Sequence, residues 1–118
     1  MLTEAQIQID THLDIDFKTI RNSMDVLRAI HHKLRYEILN LIHQEKTMTV
    51  THIYARLRLE QSVASQHLTV LRKSGVVKTV RNGKFIFYSI NYDRLHEIIG
   101  LSKELTNGKM PLTFAPNN

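Results

Sequence analysis

The sequence predicts a mainly α fold: five helices, with one two-stranded β-hairpin between the fourth and the fifth. Three observations carry this. Apolar residues recur at helical spacing from Leu13 to Leu71, the pattern of helices that bury one face. After Gly75 the pattern changes to two β-prone runs either side of Asn82-Gly83, a pair suited to the positive φ angles of a type I′ turn. From Leu95 to Leu105 helical spacing returns.

Each element has its own signal. Leu13, Phe17, Ile20, Met24 and Leu27 are spaced by four, three, four and three residues, a two-heptad seam that lets one helix lie along another. His31-His32-Lys33 separates that seam from a second apolar series at Leu34, Ile38, Leu41 and Ile42. Thr47-Met48-Thr49 supplies capping side chains for a short third helix carrying Val50, Ile53, Ala55 and Leu57. A fourth runs from about Gln61 to Ser74 and stops at Gly75, a residue suited to a left-handed C-terminal position. The hairpin pairs the run from Val76 to Arg81 with that from Lys84 to Ile90. The last helix starts near Asn91 or Tyr92, and its apolar or small face is Leu95, Ile98, Ile99, Ser102 and Leu105.

With 118 residues, one domain is expected: a core over 13–106, an N-terminal extension over 1–12 and a loosely ordered tail over 107–118. The absence of cysteine excludes disulfides, thiolate metal sites and cysteine nucleophiles. No apolar run reaches the roughly 20 residues of a membrane span. The acidic start lacks the order of a signal peptide, so a soluble cytoplasmic protein is expected.

The net charge of +5 is unevenly placed. Residues 1–54 carry six basic and seven acidic side chains and residues 95–118 carry two of each, whereas residues 55–94 carry eight basic and two acidic, a local net of +6. Such a block is the electrostatic footprint of a polyanionic partner. It coincides with the third and fourth helices and the hairpin, which together make a winged helix-turn-helix. On the fourth helix Ala64, Leu68 and Leu71 form a narrow apolar face, opposite Ser62, Ser65, Gln66, Thr69 and Lys73. Glutamine can pair with adenine, and serine with several base edges. Gln61, Ser62, Ser65, Gln66 and Thr69 are therefore the candidate base readers. Arg56, Arg72 and Lys73 are candidates for the DNA backbone. Arg81 and Lys84, beside the hairpin tip, suit phosphates or the minor groove.

The stretch LEQSVASQHLTVLRKSGVVKTVRNGKFIFYSI closely resembles the recognition helix and wing of the ArsR/SmtB family of bacterial transcriptional repressors. That family favours L-x-x-S-Q-S-x-V-S-x-H-L-x-x-L-x-x-x-G-L-V before a basic hairpin. Upstream, VLRAIHHKLRYEILNLI is similar to the family's preceding element, Leu-x-x-Leu-x-x-Pro-x-R-x-x-I-L. The likeness runs from about Met24 to Ile90. Lys33 replaces the common proline, Arg58 a frequent glycine, and Glu60 the usual capping Ser or Thr.

The resemblance implies a DNA-binding transcriptional regulator, a repressor, working as a homodimer on double-stranded operator DNA through its first and last helices. Phe17, Ile20, Met24, Leu27, Leu95, Ile98, Ile99 and Leu105 are the candidate interface.

Many relatives sense metals. Where one family site has Cys-Val-Cys, this chain has Thr49-Val50-Thr51, and hydroxyls replace poorly for thiolates. On the last helix Asp93, His96 and Glu97 have the wrong spacing for the other site, and no second histidine pair follows. No metal and no cofactor are therefore expected, which leaves release to an unknown small-molecule effector, a protein effector or a change in protein level. Nor is an enzyme expected: Ser65 and His67, two apart on a helix, point about 200° apart. Two alternatives stay open, a winged-helix module that binds protein, and a metal-responsive repressor with a non-standard histidine site.

Overall fold

The computed structural model describes residues 15–106. The extension over 1–12, Leu13 and the tail over 107–118 lie outside the described residues. Among the described residues, five helices and three short strands follow one another as α1 (Phe17–Ile30), α2 (Lys33–Glu45), β1 (Met48–Thr49), α3 (Val50–Leu57), α4 (Gln61–Ser74), β2 (Val77–Asn82), β3 (Phe85–Ile90) and α5 (Tyr92–Leu105).

Local chemistry sets most helix ends. Asp16 caps α1, accepting from the Thr19 amide at 3.2 Å and the Thr19 hydroxyl at 2.6 Å. The His32 Nδ1 accepts from the Leu34 amide at 3.1 Å and starts α2. Thr49 starts α3 through the His52 amide at 3.3 Å. Asn91 starts α5 through the Arg94 amide at 3.2 Å. Each satisfies an amide that the first turn leaves without a partner. Glu60 precedes α4 without a side-chain cap bond, leaving its carboxylate to act through the helix dipole. Gly75 ends α4 at φ +84°. Arg58 ends α3 in the left-handed region at φ 55°, which accounts for the glycine usual at this place in the resembled family.

The core lies where α2, α3 and α4 meet the sheet. Ile38, Ile42, Ile53, Leu68, Leu71 and Val76 are completely or almost completely buried, with Val77, Ile90 and Ile98 closing around them. Burying such a side chain contributes roughly 1.5–3 kcal/mol.

The sheet corrects the sequence-based expectation twice. Among the described residues it has three strands, in the order β1-β3-β2, and all pairings are antiparallel. Met48 pairs with Tyr88 and Thr49 with Phe87, so the segment read as a capping stretch is also an edge strand. Two residues are too few to display a period. The hairpin turn is also displaced by one residue. Asn82 pairs with Phe85, which makes Gly83 and Lys84 the central residues. Gly83 has φ +63° and Lys84 lacks a positive φ. Glycine first with a negative φ second is the pattern of a type II′ turn, and Asn82 joins the strand.

Candidate nucleic-acid interface

Helix α4 divides along its length as its sequence dictates. Ala64, Leu68 and Leu71 are buried, while Gln61, Ser62, Ser65, Gln66, Thr69, Arg72 and Lys73 are exposed. The candidate base readers thus share one solvent-facing side, backed by a rigid core. The Thr69 hydroxyl donates to the Ser65 carbonyl at 2.9 Å, which leaves its oxygen lone pairs and methyl for outside contacts. Arg72 and Lys73 occupy the last turn.

The wing adds a second cationic element. Arg81 is opposite Ile86 on β3, and Lys84 sits at the turn. Its Nζ lies 5.4 Å from the centre of the Phe85 ring, close enough for a cation–π contact. Val80 and Phe85 are more than half exposed, so the wing presents apolar and cationic groups together. Arg56 is the exception among the candidate cations, since its Nη1 pairs with Glu45 Oε1 at 3.2 Å and ties α3 to α2.

Sequence reasoning missed the contacts that brace α4. Arg35 Nε donates to the Ala29 carbonyl at 2.6 Å and Nη2 to the Arg28 carbonyl at 3.2 Å, while Nη1 meets His67 Nδ1 at 3.3 Å. The His32 and His67 ring centres are 4.8 Å apart. Partial burial, then the charges of His32 and Arg35, hold His67 below the usual histidine range. For His32 the order is partial burial, then Arg35 and His31. Arg94, on α5, donates from Nε to the Ser74 carbonyl at the end of α4 at 3.2 Å, and pairs with Glu97 at 3.0 Å. These contacts cross 32 and 20 residues, and no local pattern announces them.

The end helices expose a different surface. Phe17 is 74% exposed, Ile20 46%, Met24 44% and Leu105 68%. Leu27 and Leu95 are partly buried against the core, and Ile99 is half-buried. Ile98, a candidate interface residue, is only 4% exposed because its own core takes it up. Leu101, absent from the candidates, is exposed and helps line a cleft of about 260 Å³ between α1 and α5, with Thr19, Asn22, Val26 and Arg94. Its place four residues before Leu105 was the available signal.

Two of the residues weighed as metal positions have local roles. The Thr49 hydroxyl caps α3, and Glu97 is paired with Arg94. Among the described residues no three His, Asp or Glu side chains converge as a metal site. Nor, among them, is any helix long and apolar enough to cross a membrane.

A helix with an outward polar face, seated on a tri-helical core beside a cationic wing, defines a winged helix-turn-helix DNA-binding module. Residues 32–79, from the cap of α2 into β2, match the family model described as bacterial regulatory protein, arsR family. The transcriptional repressor PagR of Bacillus anthracis is 36% identical over 87 residues, covering 74% of this chain and 87% of PagR. The crystal structure of PagR aligns with a TM-score of 0.60 at 35% identity, over 73% of this chain and 98% of that one. The transcriptional activator HlyU of Vibrio cholerae is 30% identical over 75% of this chain and 81% of its own length. NolR of Sinorhizobium fredii aligns with a TM-score of 0.63 at 26% identity, over 83% of this chain and all of NolR. The chain belongs to the ArsR family of bacterial transcriptional regulators, and it is a DNA-binding regulator of transcription.

Proposed function

We propose that this chain is a homodimeric repressor that reads operator DNA through the outer face of α4. The carrying observation is that α4 buries only Ala64, Leu68 and Leu71, while Gln61, Ser62, Ser65, Gln66 and Thr69 face solvent in the one segment with a strong positive balance. Arg72 and Lys73 hold the DNA backbone, and Arg81 and Lys84 bring the wing to phosphates or the minor groove. Arg56 contributes once it exchanges Glu45 for phosphate.

Phe17, Ile20, Met24 and Leu105 meet a second copy, with Leu27, Leu95 and Ile99 supporting them from beneath. Soluble monomers rarely leave so many large apolar side chains together in water. Two-fold pairing places the two α4 helices on half-sites about 34–36 Å apart. The regulator acts in the cytoplasm and carries out no catalytic step. Release from DNA follows an organic ligand, a partner protein or a change in the level of the regulator, because hydroxyls stand at the thiolate positions and the last helix lacks a converging ligand set.

Selection of bound duplexes from a random pool tests this reading. The expected outcome is a two-fold-symmetric sequence bound by two chains. Equal recovery of all sequences would overturn it.

A further inference from the structure

We infer that Arg35 and His67 form the joint that fixes recognition helix α4 against end helix α1, and that the joint holds only while His67 is neutral. The inference rests on α4 being the base-reading helix.

Two arms of the Arg35 guanidinium are committed to α1. They take the Arg28 and Ala29 carbonyls at 3.2 and 2.6 Å, in the last turn, where carbonyls have no partner within the helix. The third arm reaches His67 Nδ1 at 3.3 Å. A guanidinium only donates, so Nδ1 must accept, and the ring proton of neutral His67 resides on Nε2. His67 itself stands between Gln66, on the exposed face, and Leu68, in the core. One planar group therefore connects the end of the proposed dimer helix to the middle of the proposed reading helix.

The surroundings make this joint intolerant of a proton. The charges that reach His67 come from Arg35 and His32, both on or capping α2, and those that reach His32 come from Arg35 and His31. None is acidic. His32 has its own Nδ1 engaged in capping α2. Protonating His67 at Nδ1 turns the Arg35 contact into donor facing donor and cation facing cation. Arg35 stays anchored to α1 by two bonds, so it is α4 that loses its brace and, still seated by Ala64, Leu68 and Leu71, is free to tilt. Base-edge contacts require close positioning, whereas phosphate contacts tolerate a tilt. Acid should therefore erode preference among sequences and spare general attraction to DNA.

The experiment uses the full chain, a duplex enriched by this protein from a random pool at pH 7.5, and an unrelated duplex of equal length, at fixed salt. Their affinity ratio is measured at pH 7.5 and 5.5, and circular dichroism verifies that each variant is folded at both. For the unaltered chain the ratio should fall on the order of tenfold at the lower pH, within the usual range of coupling between sites. His67→Gln keeps an acceptor for Arg35 without a titrating ring, so it should retain the ratio at pH 7.5 and stay flat. His67→Ala should have a low ratio at both. An equal pH response in the unaltered chain and His67→Gln would overturn the inference, as would a full ratio in folded His67→Ala. A pool that yields no preferred duplex overturns the base-reading role of α4 itself, and the joint with it.

Discussion

Helices α1 and α4 are each fourteen residues long, and they face outward in opposite ways. Helix α4 is anchored along its length by Ala64, Leu68 and Leu71, and its exposed side is mostly hydroxyl, amide and cation. Helix α1 is buried only at its C-terminal end, by Ala29 and Ile30, and its first two turns hold Phe17, Ile20 and Met24 in solvent. The side of α4 is polar and stays hydrated without cost. The side of α1 loses free energy in water and gains it against an apolar surface, roughly 25 cal/mol per Å² covered. In the proposed function the two helices thus separate two tasks, reading and pairing.

The largest expected effect comes from breaking α1 alone. Met24→Asp and Ile20→Asp place a charge on residues already exposed in the single chain, so folding should survive while pairing weakens by at least about 2 kcal/mol, the scale of an interface hot spot. Sedimentation equilibrium reads this directly, and a monodisperse wild-type monomer at micromolar concentration would remove the contrast altogether. Leu27→Asp is a less clean probe because Leu27 packs against the core.

Breaking α4 should cost less and act selectively. Gln66→Ala is expected to lose about 1–3 kcal/mol on a selected duplex and little on random DNA. Equal losses would assign Gln66 to backbone positioning. The wing should matter less again. Arg81→Ala and Lys84→Ala should each lower the slope of log affinity against log salt by about one unit or less, on every sequence. Unchanged slopes would take the wing out of the interface.

The smallest effect concerns stability. His32 and His67 are both held below the usual histidine value when folded. The unfolded chain therefore takes up protons first, near pH 6.5. Their contribution is complete above that pH and declines as pH falls toward the lower folded values. Thermal melts should drop over this window, and His67→Gln should reduce the drop.

The contrast between the helices was legible in the residues, because heptad spacing marks Phe17, Ile20 and Met24, and the four-three spacing of Ala64, Leu68 and Leu71 marks the buried side of α4. How far an apolar residue is consumed by its own core was not legible. Ile98 and Ile99 are adjacent in one apolar run, yet only Ile98 is buried. The braces from Arg35 and Arg94 were hidden for another reason. Each is a long side chain reaching a carbonyl or ring brought near by tertiary packing, and spacing in sequence encodes neither.

The pairing of Met48 with Tyr88 has a consequence for how the molecule assembles. This ladder closes a loop containing all of α3, α4 and β2, and the entropic cost of closure rises with the length enclosed. The β2–β3 hairpin, joined by two residues, can zip locally. The contact of β1 must wait for the helices between its partners to condense. Amide exchange at the one β1 residue whose N–H bonds to β3 should then report completion of the whole headpiece, with protection arriving after that of the hairpin in a refolding pulse experiment.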